Sequence, residues 1–96
     1  MDDKALYQKK QQAQLDEYKA EIDKLKAKAS KASADVQLEV NKQIRALETK
    51  LDEGRSKLAE LAEATGEAWD ELKSGVDSAW QSLKKGVSDA GSRLTR

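Results

Sequence analysis

The sequence has no cysteine, no histidine, no proline and no phenylalanine, and each absence closes a set of options. Without cysteine there is no disulfide framework, no thiolate metal site and no thiol nucleophile, and the redox compartment is left undetermined. Without histidine a serine nucleophile has no imidazole to take its proton, so a Ser-His-Asp hydrolase is excluded. Without proline the strongest helix breaker never occurs. Aromatic residues are limited to Tyr7, Tyr18, Trp69 and Trp80, so apolar surface must come mostly from Leu, Val, Ile and Ala.

Glycine is confined to the second half, at Gly54, Gly66, Gly75, Gly86 and Gly91. These do not make a phosphate loop, because no strand pattern precedes them and no Gly-Lys-Ser/Thr ending follows. An excess of one charge is also missing: 18 Lys and Arg balance 18 Asp and Glu. That removes the basic surplus a nucleic-acid partner would require and weakens attraction to anionic lipid. No window approaches the roughly 18 consecutive apolar residues of a membrane span. The start, Met1-Asp2-Asp3-Lys4, lacks the basic lead and apolar run of a signal peptide. The expectation is a soluble cytoplasmic chain.

What is present is charge and helix-forming residues. In 96 residues, 38% are charged and 38% apolar, against about 25% charged in an average domain. Ala, Lys, Glu, Leu, Gln and Asp dominate, the composition of long helices and coiled coils. Carboxylates are plentiful, yet acid–base catalysis needs one with a raised pKa inside a cleft, and thin helical assemblies offer few clefts. The reading is therefore non-enzymatic, with no catalytic residue, metal ligand or cofactor assigned.

The apolar residues fall on one stripe. Leu15, Tyr18, Ile22, Leu25, Ala29, Ala32 and Val36 alternate steps of three and four, the heptad pattern of a left-handed seam. It continues through Val40, Ile44, Leu47, Leu51, Gly54, Leu58 and Leu61, with two successive steps of four at Val36 to Ile44 that act as a stutter. Asp2 and Asp3 suit a helix amino terminus. Pairs such as Glu21 with Lys24, Asp23 with Lys26 and Glu53 with Lys57 have the spacing of helix neighbours and read as a solvated face.

From Leu58 the period becomes eleven. WDELKSGVDSA, residues 69–79, is followed directly by WQSLKKGVSDA, residues 80–90, with Trp, Leu, Lys, Gly, Val and Ala recurring in place. Eleven residues make almost three helical turns, so Trp69, Leu72, Val76, Trp80, Leu83, Val87 and Leu94 share one face of a nearly straight helix. Gly75 and Gly86 flank that face, each costing about 1 kcal/mol of helix propensity relative to alanine and permitting close approach of another helix.

Two stretches are candidate interruptions. Ala64-Thr65-Gly66-Glu67 offers a threonine to cap the next helix, a glycine to end the previous one and an acidic first turn. Ser30 to Asp35 offers Ser33 and Asp35 as caps but no glycine or proline. The sequence thus favours an all-α fold of long amphipathic helices in a coiled coil or bundle. A heptad-rich helix over 1–64 precedes an eleven-residue-repeat helix over 65–96, with the break near Thr65-Gly66 and an alternative turn near Ser30–Asp35. Short helical connections normally carry clearer turn residues than Lys-Ala-Ser, which argues for a continuous first helix.

Such a stripe must be covered by a helix of the same chain or another copy, by a lipid interface, or by a groove on a different protein. The expectation is a homo-oligomer whose seam is Leu15, Tyr18, Ile22, Leu25, Val36, Val40, Ile44, Leu47, Leu51, Leu58 and Leu61. The alternative is a peripheral membrane protein using residues 67–94, where indoles would sit at the lipid boundary.

Residues 31–86, and most specifically GEAWDELKSGVDSAW at 66–80, resemble the small bacterial coiled-coil proteins of a stress-response family with a cyanobacterial prototype. The likeness spans most of residues 10–90 and departs from the family pattern at Leu38-Glu39-Val40, where aromatics would be expected. It implies a helical, stress-associated, non-enzymatic protein. More loosely, the tandem repeat is similar to the eleven-residue repeats of exchangeable apolipoproteins and desiccation-protection proteins.

Overall fold

The computed structural model describes residues 3–95. The chain forms three α-helices, α1 (Asp3–Ala29), α2 (Ala34–Glu63) and α3 (Gly66–Leu94), and no strand among the described residues. The helices have 27, 30 and 29 residues, which corresponds to about 40–45 Å each. The whole body measures 49 × 21 × 17 Å, so the three must lie side by side. Cross-helix contacts fix the directions. Lys26 meets Glu48 and Glu39 meets Arg93, while Tyr7 meets Trp69; α2 is therefore antiparallel to both neighbours, and α1 is parallel to α3.

Both candidate interruptions are turns, which corrects the expectation of one helix over 1–64. At the first, α1 tightens through Lys31 N–H to Lys28 O and Ala32 N–H to Ala29 O, both 3.1 Å, the short-range bonding that often closes a helix. Ser33 takes the N-cap position of α2 with φ −61° and ψ 157°, but its side chain makes no capping bond. Asp35 lies inside the first turn of α2, where its charge complements the helix dipole. Local propensity alone would carry the helix onward through Lys-Ala-Ser. Folding back lets the stripe of α1 cover that of α2, and at roughly 25 cal/mol per Å² of buried apolar surface packing overrides propensity.

At the second turn Ala64 closes α2, its N–H bonding to Leu61 O, and Thr65 is the N-cap residue of α3, again without a side-chain capping bond. Gly66 does not end α2, as its position in the sequence suggested. It opens α3 with φ +60°, the only positive φ among the described residues. That backbone region costs a residue with a Cβ about 1–2 kcal/mol. Nothing lies within 4 Å of where a Cβ at Gly66 would stand, so the penalty is conformational. Gly66→Ala is expected to lower the unfolding free energy by that amount in urea titrations followed by circular dichroism. Of the two acidic residues expected at the amino terminus, Asp3 begins α1, and Asp2 falls outside the described residues.

Candidate functional site

The feature that could carry function is the apolar seam, and it is built from one face of each helix. α1 contributes buried Leu15, Ile22, Leu25 and Ala29; α2 contributes Val40, Ile44, Leu47 and Leu51; α3 contributes Val76, Trp80, Leu83 and Ala90. Half-buried Tyr18, Val36, Leu58, Val87 and Leu94 pack against this cluster. Leu61 is fully buried beside the second turn. Trp69 and Leu72 lie at the end of the bundle and are half-buried, outside the main cluster. The stripe that the sequence runs continuously along the chain is thus folded on itself, and helices of the same chain cover it.

The glycines explain the tightest part of this packing. At Gly54 an added Cβ would stand 2.9 Å from Cζ3 and 3.1 Å from Cη2 of Trp80, so the indole of α3 fills a hollow in α2. At Gly86 the hollow is in α3, and a Cβ there would collide with Cδ2 of Leu47. The two helices interlock reciprocally, each supplying one large side chain and one glycine. At Gly75 an added Cβ would meet the Lys57 stem at 3.6 Å, an ordinary contact, so no hollow is filled there.

The face between α1 and α3 has a different character. The Trp80 indole N–H donates to Oε1 of Gln11, and Gln11 is the one buried polar side chain among the described residues, at 6% exposure. The Tyr18 ring lies 5.7 Å from that of Trp80. At the bundle end Tyr7 and Trp69 meet edge to face at 5.6 Å, a favoured aromatic geometry. Lys4 Nζ stands 5.1 Å from the Trp69 ring centre and Lys73 Nζ 5.1 Å from that of Tyr7, within cation–π range. The Tyr7 hydroxyl is 3.4 Å from both the Lys73 carbonyl oxygen and the Asp77 carboxylate, to either of which it donates. Burial first, then the Asp77 charge and hydrogen bond, push the Tyr7 pKa up to about 12. Burial likewise raises that of Tyr18, partly opposed by a hydrogen bond with Gln14.

Sequence reasoning missed Gln11, Tyr7 and the role of Gly54. Gln11 was within reach, since it stands four residues before Leu15 and extends the three-four phase backwards. Gly54 was visible as a gap in the seam, but not which side chain fills it. Among the surface pairs, Glu21 and Lys24 meet at 3.7 Å. Lys26 does not settle on Asp23; it reaches across to Glu48 on α2 at 2.8 Å. That hydrogen bond, with the Glu48 charge, raises the pKa of Lys26. Among the described residues no group of three or more acidic side chains is placed to hold a metal ion.

The fold and its seam define the class: an all-α, antiparallel three-helix bundle with an interlocked α2–α3 hairpin. Comparisons with protein-family models, with curated proteins and with solved structures found no match for this chain.

Proposed function

We propose that this chain is a non-enzymatic helical interaction protein that self-associates through its apolar seam, in the stress-associated role that its resemblance implies. One observation carries the reading: almost all large apolar side chains lie in a single seam. Outside it the exposed large ones among the described residues are Leu6 and Leu38, at 50% and 66% exposure, near opposite ends of the bundle. Neither forms a patch of the size that marks an interface. Association must therefore reuse the seam, exchanging packing within a chain for packing between chains. A cytoplasmic location belongs to the same proposal; no helix among the described residues is long and apolar enough to cross a membrane.

Light scattering from dilute to millimolar solution, before and after refolding at high concentration, tests the reading. Dimers that grow with concentration are expected. A single-chain mass of 10.6 kDa throughout would overturn it.

A second reading, peripheral lipid binding by residues 67–94, is favoured by one feature of α3. Its apolar and polar faces are more sharply segregated than those of α1, and both indoles lie on the apolar side, Trp69 half-exposed. An amphipathic helix of this kind lies in a membrane interface with its indoles at the headgroup level. Addition of anionic or neutral vesicles would then shift Trp69 emission to shorter wavelength. An unchanged spectrum with both vesicle types, alongside a heterologous helix that does bind, would leave a groove-forming protein partner in its place.

A further inference from the structure

We propose that self-association proceeds by exchange of α1: the turn at 30–33 straightens, and α1 of each chain docks on the α2–α3 hairpin of a second copy. The inference rests on the self-association reading above and specifies the surface and the partner. Four observations lead to it.

The first is the turn itself. Lys31, Ala32 and Ser33 include no glycine or proline, no described residue there has positive φ, and Ser33 makes no side-chain capping bond. Nothing in this stretch opposes a helix. The second turn differs, because Gly66 holds a left-handed conformation. Of the two connections, the first is the one whose straightened form the sequence itself favours.

The second observation is phase. Leu25, Ala29, Ala32, Val36 and Val40 keep helical spacing straight through the turn. In a continuous helix over residues 3–63, about 90 Å long, the inner faces of α1 and α2 would stay on one side. A stripe interrupted by a built-in turn has no need to preserve that register.

The third observation is which helix can leave. α2 and α3 interlock through Trp80 in the Gly54 hollow and Leu47 in the Gly86 hollow. α1 contains no glycine to interlock with a neighbour, and beside its ring contacts its meeting with α3 includes polar pairs, Gln11 with Trp80 and Tyr7 with Asp77. Water can replace the polar partners during opening, and the apolar face of α1, with Leu15, Ile22 and Leu25, is covered again on the second copy. The hairpin then remains as a preformed receptor for an α1 helix.

The fourth is geometry. α1 is antiparallel to α2 in the closed chain, and two straightened chains related by a two-fold axis near residue 37, midway between Lys26 and Glu48, again run antiparallel. Each α1 then finds on the second copy the same surface it left, with Lys26 facing a Glu48. Exchange of an identical element reproduces every contact except those of the hinge, which is why it is a low-cost route to dimers.

Ala34→Pro separates the closed from the exchanged form. Position 34 is the first residue of α2, where proline is favoured, and Ser33, at φ −61° and ψ 157°, already has the extended conformation that a following proline demands. In a continuous helix the same proline would remove the bond to the Ser30 carbonyl and clash with it, a penalty worth a factor of roughly a hundred at each hinge. The variant is expected to remain helical and monomeric, with dimerisation more than about a hundred-fold weaker.

The direct readout uses unsubstituted chains. Equal amounts of ¹⁵N-labelled and unlabelled protein are refolded together at high concentration, the dimer fraction is treated with a carbodiimide, and cross-linked peptides are read by mass spectrometry. Links between Lys26 and Glu48 that carry mixed labels are expected. Dimers whose Lys26–Glu48 links are all of one label, or an Ala34→Pro variant that dimerises as well as the parent, would overturn the exchange while leaving self-association standing. Absence of dimers from the parent chain would overturn both. Should Ala34→Pro lose its helicity, the labelled cross-links decide alone.

Discussion

Replacement of Trp80 by alanine is expected to lower the unfolding free energy by about 3–5 kcal/mol. The side chain is only 7% exposed. It occupies the hollow at Gly54, stacks at a tilt on Tyr18 and donates its indole hydrogen to Gln11. Truncation removes all three contacts and leaves a void that the helix backbones flanking Gly54 cannot close without moving. It also strands a buried amide oxygen on Gln11, which adds a desolvation cost. A domain of this size has a total stability on the order of 5–15 kcal/mol, so the variant should unfold at much lower urea and melt many degrees earlier. Trp69→Ala serves as the comparison: Trp69 is half-buried and outside the main cluster, so its loss should be clearly smaller. Gly54→Ala approaches the same hollow from the other side. The gain of about 1 kcal/mol in helix propensity opposes crowding of a rigid buried ring, which typically costs about 1–3 kcal/mol, and the net effect should be destabilising.

Leu83→Ala is expected to cost about 2–5 kcal/mol, with Leu38→Ala within about 0.5 kcal/mol of the parent. Leu83 is fully buried in the shared core, whereas Leu38 is 66% exposed. The pair discriminates between ways of covering α3. Were its stripe covered only by lipid or by a foreign helix, removing Leu83 would barely change the stability of the free chain, and the two substitutions would look alike. A large difference between them in urea unfolding of the isolated protein means that the chain covers its own seam.

The residues that line the seam were legible because helical periodicity governs them throughout. Steps of three and four from Leu15 to Leu61, then eleven-residue spacing from Trp69 to Trp80 and through Leu72, Leu83 and Leu94, mark one face for burial wherever the chain turns. The same property hid the path. Periodicity states that a face must be covered and does not state by what, so one long helix paired with a second copy and three short helices paired with each other share the same pattern. The turn near Gly66 announced itself through glycine, although that glycine begins a helix where it was expected to end one. The turn at 30–33 carried no comparable signal, since Lys31, Ala32 and Ser33 are all compatible with helix; only packing of the α1 stripe against that of α2 selects it. Cross-helix specifics, such as Trp80 entering the Gly54 hollow and Tyr7 meeting Trp69, depend on axial offsets between helices that no local pattern encodes.

The absence of a side-chain cap at Ser33 joins the legible and the hidden parts. An uncapped turn within an unbroken apolar register is a weak point that the closed fold tolerates, and the exchange of α1 would make use of it. Dilute solution favours the closed chain by mass action, and high concentration favours exchange.

Small-angle X-ray scattering on dilute protein tests the central claim, that one chain closes its own seam, because it reads shape and mass together. A self-covered single chain gives the 10.6 kDa mass of one copy with a radius of gyration near 15.4 Å. A rod-like particle of about 135 Å, the length of some 90 residues in one helix, or a mass of two chains persisting at the lowest concentration, would contradict it.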